Sequence, residues 1–309
     1  MKTIKLLLLL TILSSFSFPS KEVKLEYTFT TGDQYVWTLV TNQTMQQNFL
    51  GNEQVIESSV IGSLLLKVQS LTSTGARIEA TYIELAMTMK LPAGMQAITI
   101  DSKGDQAKTE NKVMKSIMNK PFTILLSKQG IIEDVEGIDN LWSGLSELGI
   151  DEQQQKTLKQ QFEQNFGKNS IKSLFEMAFT SYPDKKVTVG TPWKNTTGVG
   201  LNFPLQTENI WLVTSVVKEM ANLTADGSVK TPDKEQIINL PNNLKAKMDL
   251  KGTQKINSVV HVKTGWPSEV KISSDLNGNM NLLAGGMIPA DMQVPMKIVS
   301  QSLYSFVKK

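Results

Sequence analysis

Residues 244–251, LKAKMDLK, put Leu244, Ala246, Met248 and Leu250 on one side of an extended chain and Lys245, Lys247, Asp249 and Lys251 on the other. Side chains of a β-strand point alternately to its two faces, so this stretch reads as a strand with one face buried and one in water. The same period of two runs through Tyr35, Trp37 and Leu39, through Gly62, Leu64, Leu66 and Val68, and through Phe122, Ile124 and Leu126. Ile131, Glu133 and Val135 continue it after a turn at Gln129-Gly130. Strands that are wet on one face belong to antiparallel sheets. Thr31-Gly32-Asp33, Thr74-Gly75, Asp226-Gly227, Thr264-Gly265 and Asn277-Gly278 sit between apolar runs and read as turns, where glycine supplies a positive φ. Short turns between strands make meanders rather than βαβ units.

Residues 75–89 are less regular. Ile78, Ala80 and Tyr82 share one face, and Ile83, Leu85, Met87 and Met89 share the other. A strand that changes its apolar face contains a bulge or passes between packing layers, as a long curved strand would.

Helical spacing is concentrated in the middle of the chain. It covers 107–118 (Val113, Met114, Ile117, Met118) and 138–148 (Leu141, Trp142, Leu145, Leu148). A third helix runs from an N-cap at Asp151 to Phe166, with Gly167 as its stop. A fourth begins near Ser170, carries Ile171, Leu174, Phe175, Ala178 and Phe179 on one face, and ends before Pro183.

The expected fold is therefore mainly β with an α insert: curved antiparallel sheets packed on a central helical block. Residues 1–20 form an export signal, and 21–309 form one compact β-rich domain with halves at about 21–136 and 187–309 and the helical block at 137–181. The halves open alike, with Thr31-Gly32-Asp33-Gln34-Tyr35 and Val189-Gly190-Thr191-Pro192-Trp193. Residues 89–100 (MKLPAGMQAITI) also parallel 282–298 (LLAGGMIPADMQVPMKI). Duplication and chance likeness between two β-meanders both remain open.

Three short stretches carry a family resemblance. They are Leu25-Glu26-Tyr27-Thr28-Phe29-Thr30-Thr31-Gly32-Asp33-Gln34-Tyr35, then 182–193 (YPDKKVTVGTPW), and Lys263-Thr264-Gly265-Trp266-Pro267. The chain resembles a family of uncharacterised exported bacterial proteins described as a domain of unknown function. The resemblance implies export and a β-rich fold. It supplies no catalytic residue.

Composition narrows the chemistry. The chain has 309 residues, no cysteine and one histidine, His261. Disulfides, thiolate metal sites and cysteine nucleophiles are excluded, as is any site needing two histidines. The formal charge of +3 includes Lys2 and Lys5, and setting these aside leaves 30 basic against 29 acidic side chains. That balance gives no footprint for nucleic acid or an anionic membrane surface.

Lys2 and Lys5, an apolar run from Leu6 to Leu13, and the small residues Ser14, Ser15 and Ser17 follow the order of a secretory signal. The run is too short for a membrane span, and no cysteine follows it to carry a lipid. A periplasmic or secreted protein that is not a lipoprotein is expected, with no transmembrane segment in the mature chain. The sequons at Asn42, Asn195 and Asn222 would matter only in a eukaryotic secretory path.

Catalytic motifs fare poorly. Ser215-x-x-Lys218, Ser268-x-x-Lys271 and Ser305-x-x-Lys308 fit a Ser-Lys dyad, but each falls in an expected strand, where residues three apart face opposite ways. His261 falls on the wet face of its strand. Glu133, Asp134, Glu136 and the pair Asp151-Glu152 fit a hairpin face and a helix start. The 14 methionines are an unusual number. Thioethers can bind Cu(I), but they also fill irregular cores and line adaptable apolar surfaces, and these readings are preferred. No metal or cofactor is expected. The expected role is non-enzymatic binding of an apolar ligand or an envelope protein partner, with a hydrolase acting on an envelope polymer as the alternative. Trp37, Leu85, Met87, Met89 and Phe175 are the candidate ligand-binding residues, lining a cavity between sheet and helices.

Overall fold

A computed structural model describes residues 22–92, 95–200, 204–240, 244–285 and 288–309. The export signal at 1–20 lies outside the described residues. In chain order the strands are β1 (Glu22–Val23), β2 (Gln34–Phe49), β3 (Asn52–Leu71), β4 (Gly75–Lys90), β5 (Ile98–Asp101), β6 (Pro121–Ser127), β7 (Ile132–Glu136), β8 (Val187–Thr188) and β9 (Pro192–Gly200). They continue as β10 (Pro204–Val217), β11 (Met220–Lys230), β12 (Ile237–Asn239), β13 (Lys245–His261), β14 (Pro267–Leu282) and β15 (Met292–Lys308). The helical segments are α1 (Thr109–Ser116), a 3-10 segment (Ile138–Leu148), α2 (Glu152–Phe166) and α3 (Lys168–Ala178).

The chain is mainly β and antiparallel, with one 13-stranded sheet ordered β7-β6-β4-β3-β2-β15-β14-β13-β11-β10-β9. β5 pairs with the far part of β4, β12 pairs with β13, and β1 and β8 form a separate two-stranded ribbon. The strands before and after the helices form a single sheet because β2 pairs with β15. That sheet does not close into a barrel. Helix α3 touches β7 at one edge and β9 at the other, so it lies across the seam and covers edges that would otherwise offer unpaired backbone groups.

The face of the sheet that receives the helices is the inner face, and it carries two apolar clusters. The larger one packs the helices against one end of the long strands and includes Trp37, Tyr82, Phe122, Trp142, Phe166, Phe175, Trp211 and Tyr304. The smaller one lies at the far end and gathers Val229, Met248, Leu250, Leu276, Val294, Met296 and Ile298 beneath Ile238 and Ile288.

Local expectations hold in part. Asp151 caps α2, its carboxylate accepting the Gln154 N–H at 2.8 Å. Gly167 does end α2, but in an extended conformation (φ −75°, ψ 169°), and α3 begins at the next residue, ahead of Ser170. Residues 138–148 wind as a 3-10 segment between left-handed glycines 137 and 149. On β7 the buried residue is Ile132 rather than Ile131, because the pairing with β6 shifts between Leu125 and Leu126. Lys218 sits at a positive φ of 55° in the turn after β10, not in a strand.

The change of apolar face in β4 is a bulge. Ser63 opposes Glu84 and Leu64 opposes Tyr82, which leaves Ile83 unpaired and exposed. Past the bulge Leu85, Met87 and Met89 return to the face that Tyr82 occupies.

Two expected turns are strand interiors. Asp226-Gly227 lies within β11 and Asn277-Gly278 within β14. With Gly252 of β13 these glycines form a diagonal, each on the next strand and two residues further along. A Cβ on Gly252 would overlap the Asp275 carbonyl, and one on Gly278 would overlap the Asp249 carbonyl. A Cβ on Gly227 would sit 2.8 Å from the Gln254 Cγ. The glycines serve close approach inside a strongly bent sheet rather than a reversal of the chain.

Candidate ligand-binding face

The three stretches that carry the family resemblance meet at the helix-covered end. The Tyr27 hydroxyl accepts the Thr180 N–H at 3.1 Å, and the Tyr182 hydroxyl donates to the Gly265 carbonyl at 2.7 Å. The Trp266 indole N–H donates to the Thr28 carbonyl at 3.3 Å, and its ring stacks on Tyr35 with centroids 3.9 Å apart. Gly265 takes φ +69° where a Cβ would strike the Glu26 carbonyl. Burial pushes the Tyr27 phenol well above its usual range, and the neighbouring Tyr182 adds to this. Burial likewise raises Tyr182. These residues tie the N-terminal segment across the helix-covered end, which is a structural task.

The five candidate residues fall in two places. Trp37 and Phe175 are fully buried, with rings 5.1 Å apart, and Trp37 is also stacked on Tyr304 at 5.9 Å. Leu85 is buried in the same cluster. The helix-covered interior is thus filled with rings where a cavity was expected. Met87 and Met89 lie further along β4, half-buried, and belong to neither cluster. Ile56 on β3 shares that condition.

Beside these residues runs a feature that only register reveals. Ser58 pairs with Gln43, Gln43 with Ser300, Ser300 with Ser274, and Ser274 with Gln254. Gln254 then pairs with Gly227, Gly227 with Asn209, and Asn209 with Asn195. All stand on the inner face, forming one polar row across the sheet between the two apolar clusters. At one end the row satisfies itself: the Gln254 amide donates to the Asn209 Oδ1 at 2.7 Å, and the Trp211 indole N–H donates to the Asn195 Oδ1 at 3.0 Å. At the other end the side chains of Ser58, Gln43, Ser300 and Ser274 are half-buried and have no hydrogen-bond partner among the described residues. Met89 is the register partner of Ser58, so the unpaired polar groups adjoin the half-buried methionines.

Charge is excluded from this face. On β2, β3, β4, β10, β11, β13, β14 and β15, every Asp, Glu, Lys, Arg and His stands outward except Lys308, at the end of its strand, which reaches Asp33 at 2.7 Å. His261 is exposed on the outer face, as expected. Tyr304, one position nearer the helices than Ser302, is pushed up to about 12 by burial against an opposing Ser302 hydrogen bond. The arrangement offers hydroxyls, amides, thioethers and aliphatic groups, and at neutral pH no group there carries charge. Among the described residues no cluster of three or more His, Cys, Asp or Glu could hold a metal ion.

The opposite face of the same strands carries a shallow depression of about 320 Å³. Outward-facing Asn42, Thr44, Glu57, Ser59, Lys90 and Gln301 line it, and the intervening residues Gln43, Ser58 and Ser300 also form part of its lining. Lys90 and Glu57 pair there at 3.1 Å, both well exposed, so that ion pair contributes little.

Fold and face together define an open, helix-plugged antiparallel sheet with an uncharged inner surface. The chain belongs to a family of unknown function, DUF6263, whose model matches residues 74–267. No curated protein matches it. Among solved structures, one titled for lipid–protein interactions in lipovitellin is 10% identical with a TM-score of 0.45, the alignment covering 91% of this chain and 25% of that one. The COG4313 outer membrane channel from Pseudomonas putida F1 is 8% identical with a TM-score of 0.26, over 91% of this chain and 97% of that one. OccK7 (OpdD) of Pseudomonas aeruginosa is 9% identical with a TM-score of 0.19, over 90% and 100%. The chain spans about a quarter of the lipovitellin chain. Likenesses at these scores carry no argument about function. No helix among the described residues is long and apolar enough to cross a membrane.

Proposed function

We propose that this is an exported, non-enzymatic binding protein that takes an apolar or amphiphilic molecule on the inner face of its sheet, beyond the helices. One observation carries the reading. Ile56, Met87 and Met89 form a half-buried apolar strip on a face from which charge is excluded, outside both packed clusters. Partly exposed apolar surface of this kind marks a ligand groove or an interface, and methionine adapts its shape to varied apolar partners. A hydrolase would need an acid–base pair at the groove, and these inner positions supply only hydroxyls, amides and apolar groups.

Native mass spectrometry of the exported protein, purified without detergent, tests the reading. We expect a lipid-sized adduct that Met87→Lys removes while the circular dichroism spectrum is unchanged. A ligand-free spectrum, with no rise in melting temperature on adding acylglycerols, fatty acids or phospholipids, would overturn it.

A further inference from the structure

We infer that the bound molecule is an uncharged amphiphile, of the acylglycerol type, whose hydroxyl and ester oxygens lie on Ser58, Gln43, Ser300 and Ser274 while its chain runs over Met89, Met87 and Ile56. This rests on the binding role proposed above and names the chemistry of its ligand.

Three observations converge on this. The first is position. These four polar residues occupy the adjacent strands β3, β2, β15 and β14 at matched register, a platform about 14 Å wide at ordinary strand spacing. The second is unused hydrogen-bonding capacity. Their side chains have no partner among the described residues, whereas Thr41 and Ser302, one row nearer the helices, bond each other at 2.8 Å, and Gln254 bonds Asn209. Serine hydroxyls and the glutamine amide both donate and accept, so they match alcohol and ester oxygens.

The third is charge. A carboxylate or phosphate on this platform would be drawn out of water with no cation facing it, since the lysines of β13, β14 and β15 stand outward and Lys308 is held at the strand end by Asp33. An unpaired ion in such a place costs far more than a neutral hydroxyl that finds hydrogen bonds. The tail needs a neighbouring apolar strip, and Met89 beside Ser58 provides its start.

The experiment compares a monoacylglycerol with the fatty acid of the same chain length, each titrated into delipidated mature protein at about pH 8, where the carboxylate is ionised. We expect the neutral ligand to bind at least roughly tenfold more tightly, and the gap to narrow as acidification protonates the fatty acid. Gln43→Glu places a charge on the platform and should weaken the monoacylglycerol by roughly tenfold or more. Gln43→Ala keeps the face neutral and should weaken it less, with melting temperature and circular dichroism checking that both variants fold. If the fatty acid binds as well as the monoacylglycerol, or Gln43→Glu binds like the parent, the neutral-head inference is wrong while the binding role stands. If neither ligand binds and no phospholipid binds either, the binding role itself fails.

Discussion

The two ends of the same strands have different fates. Along β2, Tyr35, Trp37 and Leu39 are buried, while the inward positions Thr41, Gln43, Met45, Gln47 and Phe49 are only half-buried. β3 repeats this: Leu64, Leu66 and Val68 are buried, and Val60, Ser58 and Ile56 half-buried. At the first end α3 and the aromatic residues fill the interior. At the second, β13, β14 and β15 close their own apolar cluster with help from Ile238, Ile288 and the β2 residues Met45 and Phe49, leaving the inner side of β3 and β4 open. The closed end maintains the shape that the open end presents.

The sharpest way to break this comparison is at the closed end. Trp37→Ala removes a fully buried ring stacked on Phe175 and Tyr304, and we expect a loss of about 3–5 kcal/mol in urea unfolding. Trp37→Phe should cost distinctly less. It keeps much of the ring volume and deletes an indole N–H that is buried without a partner. Equal losses for the two variants would mean that the ring stack is not what holds this end.

Alkali acts on the same end. Tyr27, Tyr82, Tyr182 and Tyr304 are held protonated by burial, with folded-state values above the ordinary 10.0. The unfolded chain therefore gives up these protons first. Stability is fully present below about pH 10 and is lost as pH rises through the folded values. Tyr304, pushed up to about 12, alone accounts for roughly 3 kcal/mol once that range is passed. Unfolding and phenolate absorbance should rise together above about pH 10. Phenolate appearing in the still-folded protein near its ordinary range would contradict the packing described.

A smaller effect separates the bent region from both ends. Gly278→Ala forces a Cβ onto the Asp249 carbonyl and should cost about 1–3 kcal/mol, in the range of an overpacked site. Gly198→Ala in β9, where a Cβ meets nothing within 4 Å, is the control and should stay within about 0.5 kcal/mol.

The least expected effect is at the open end. Met89→Ala removes a half-buried side chain outside both clusters and should change stability by no more than about 1 kcal/mol. A loss as large as that of Trp37→Ala would show that this end is core in solution and that no groove exists there.

Much of the fold was legible because it is written at short range. Alternation such as Leu244, Ala246, Met248, Leu250 marked the strands, and Asp151 marked a helix start, since a strand face and an N-cap are decided by residues a few positions apart. Gly227 and Gly278 misled because glycine allows both a turn and a close backbone approach, and which one applies depends on the neighbouring strand. The candidate site was legible only as a surplus of methionine. Ser58, Gln43, Ser300 and Ser274 are ordinary polar residues in four separate stretches.

By itself the sequence determined that this chain would alternate, pair antiparallel and keep its charges on one face, because the period of two is a property of each strand alone. Only the tertiary structure decided which strands are neighbours, that α3 spans the seam, and that four polar side chains from 43 to 300 share one row. Register joins residues that are distant in sequence, and it is settled by the simultaneous burial of both clusters rather than by any one strand's pattern.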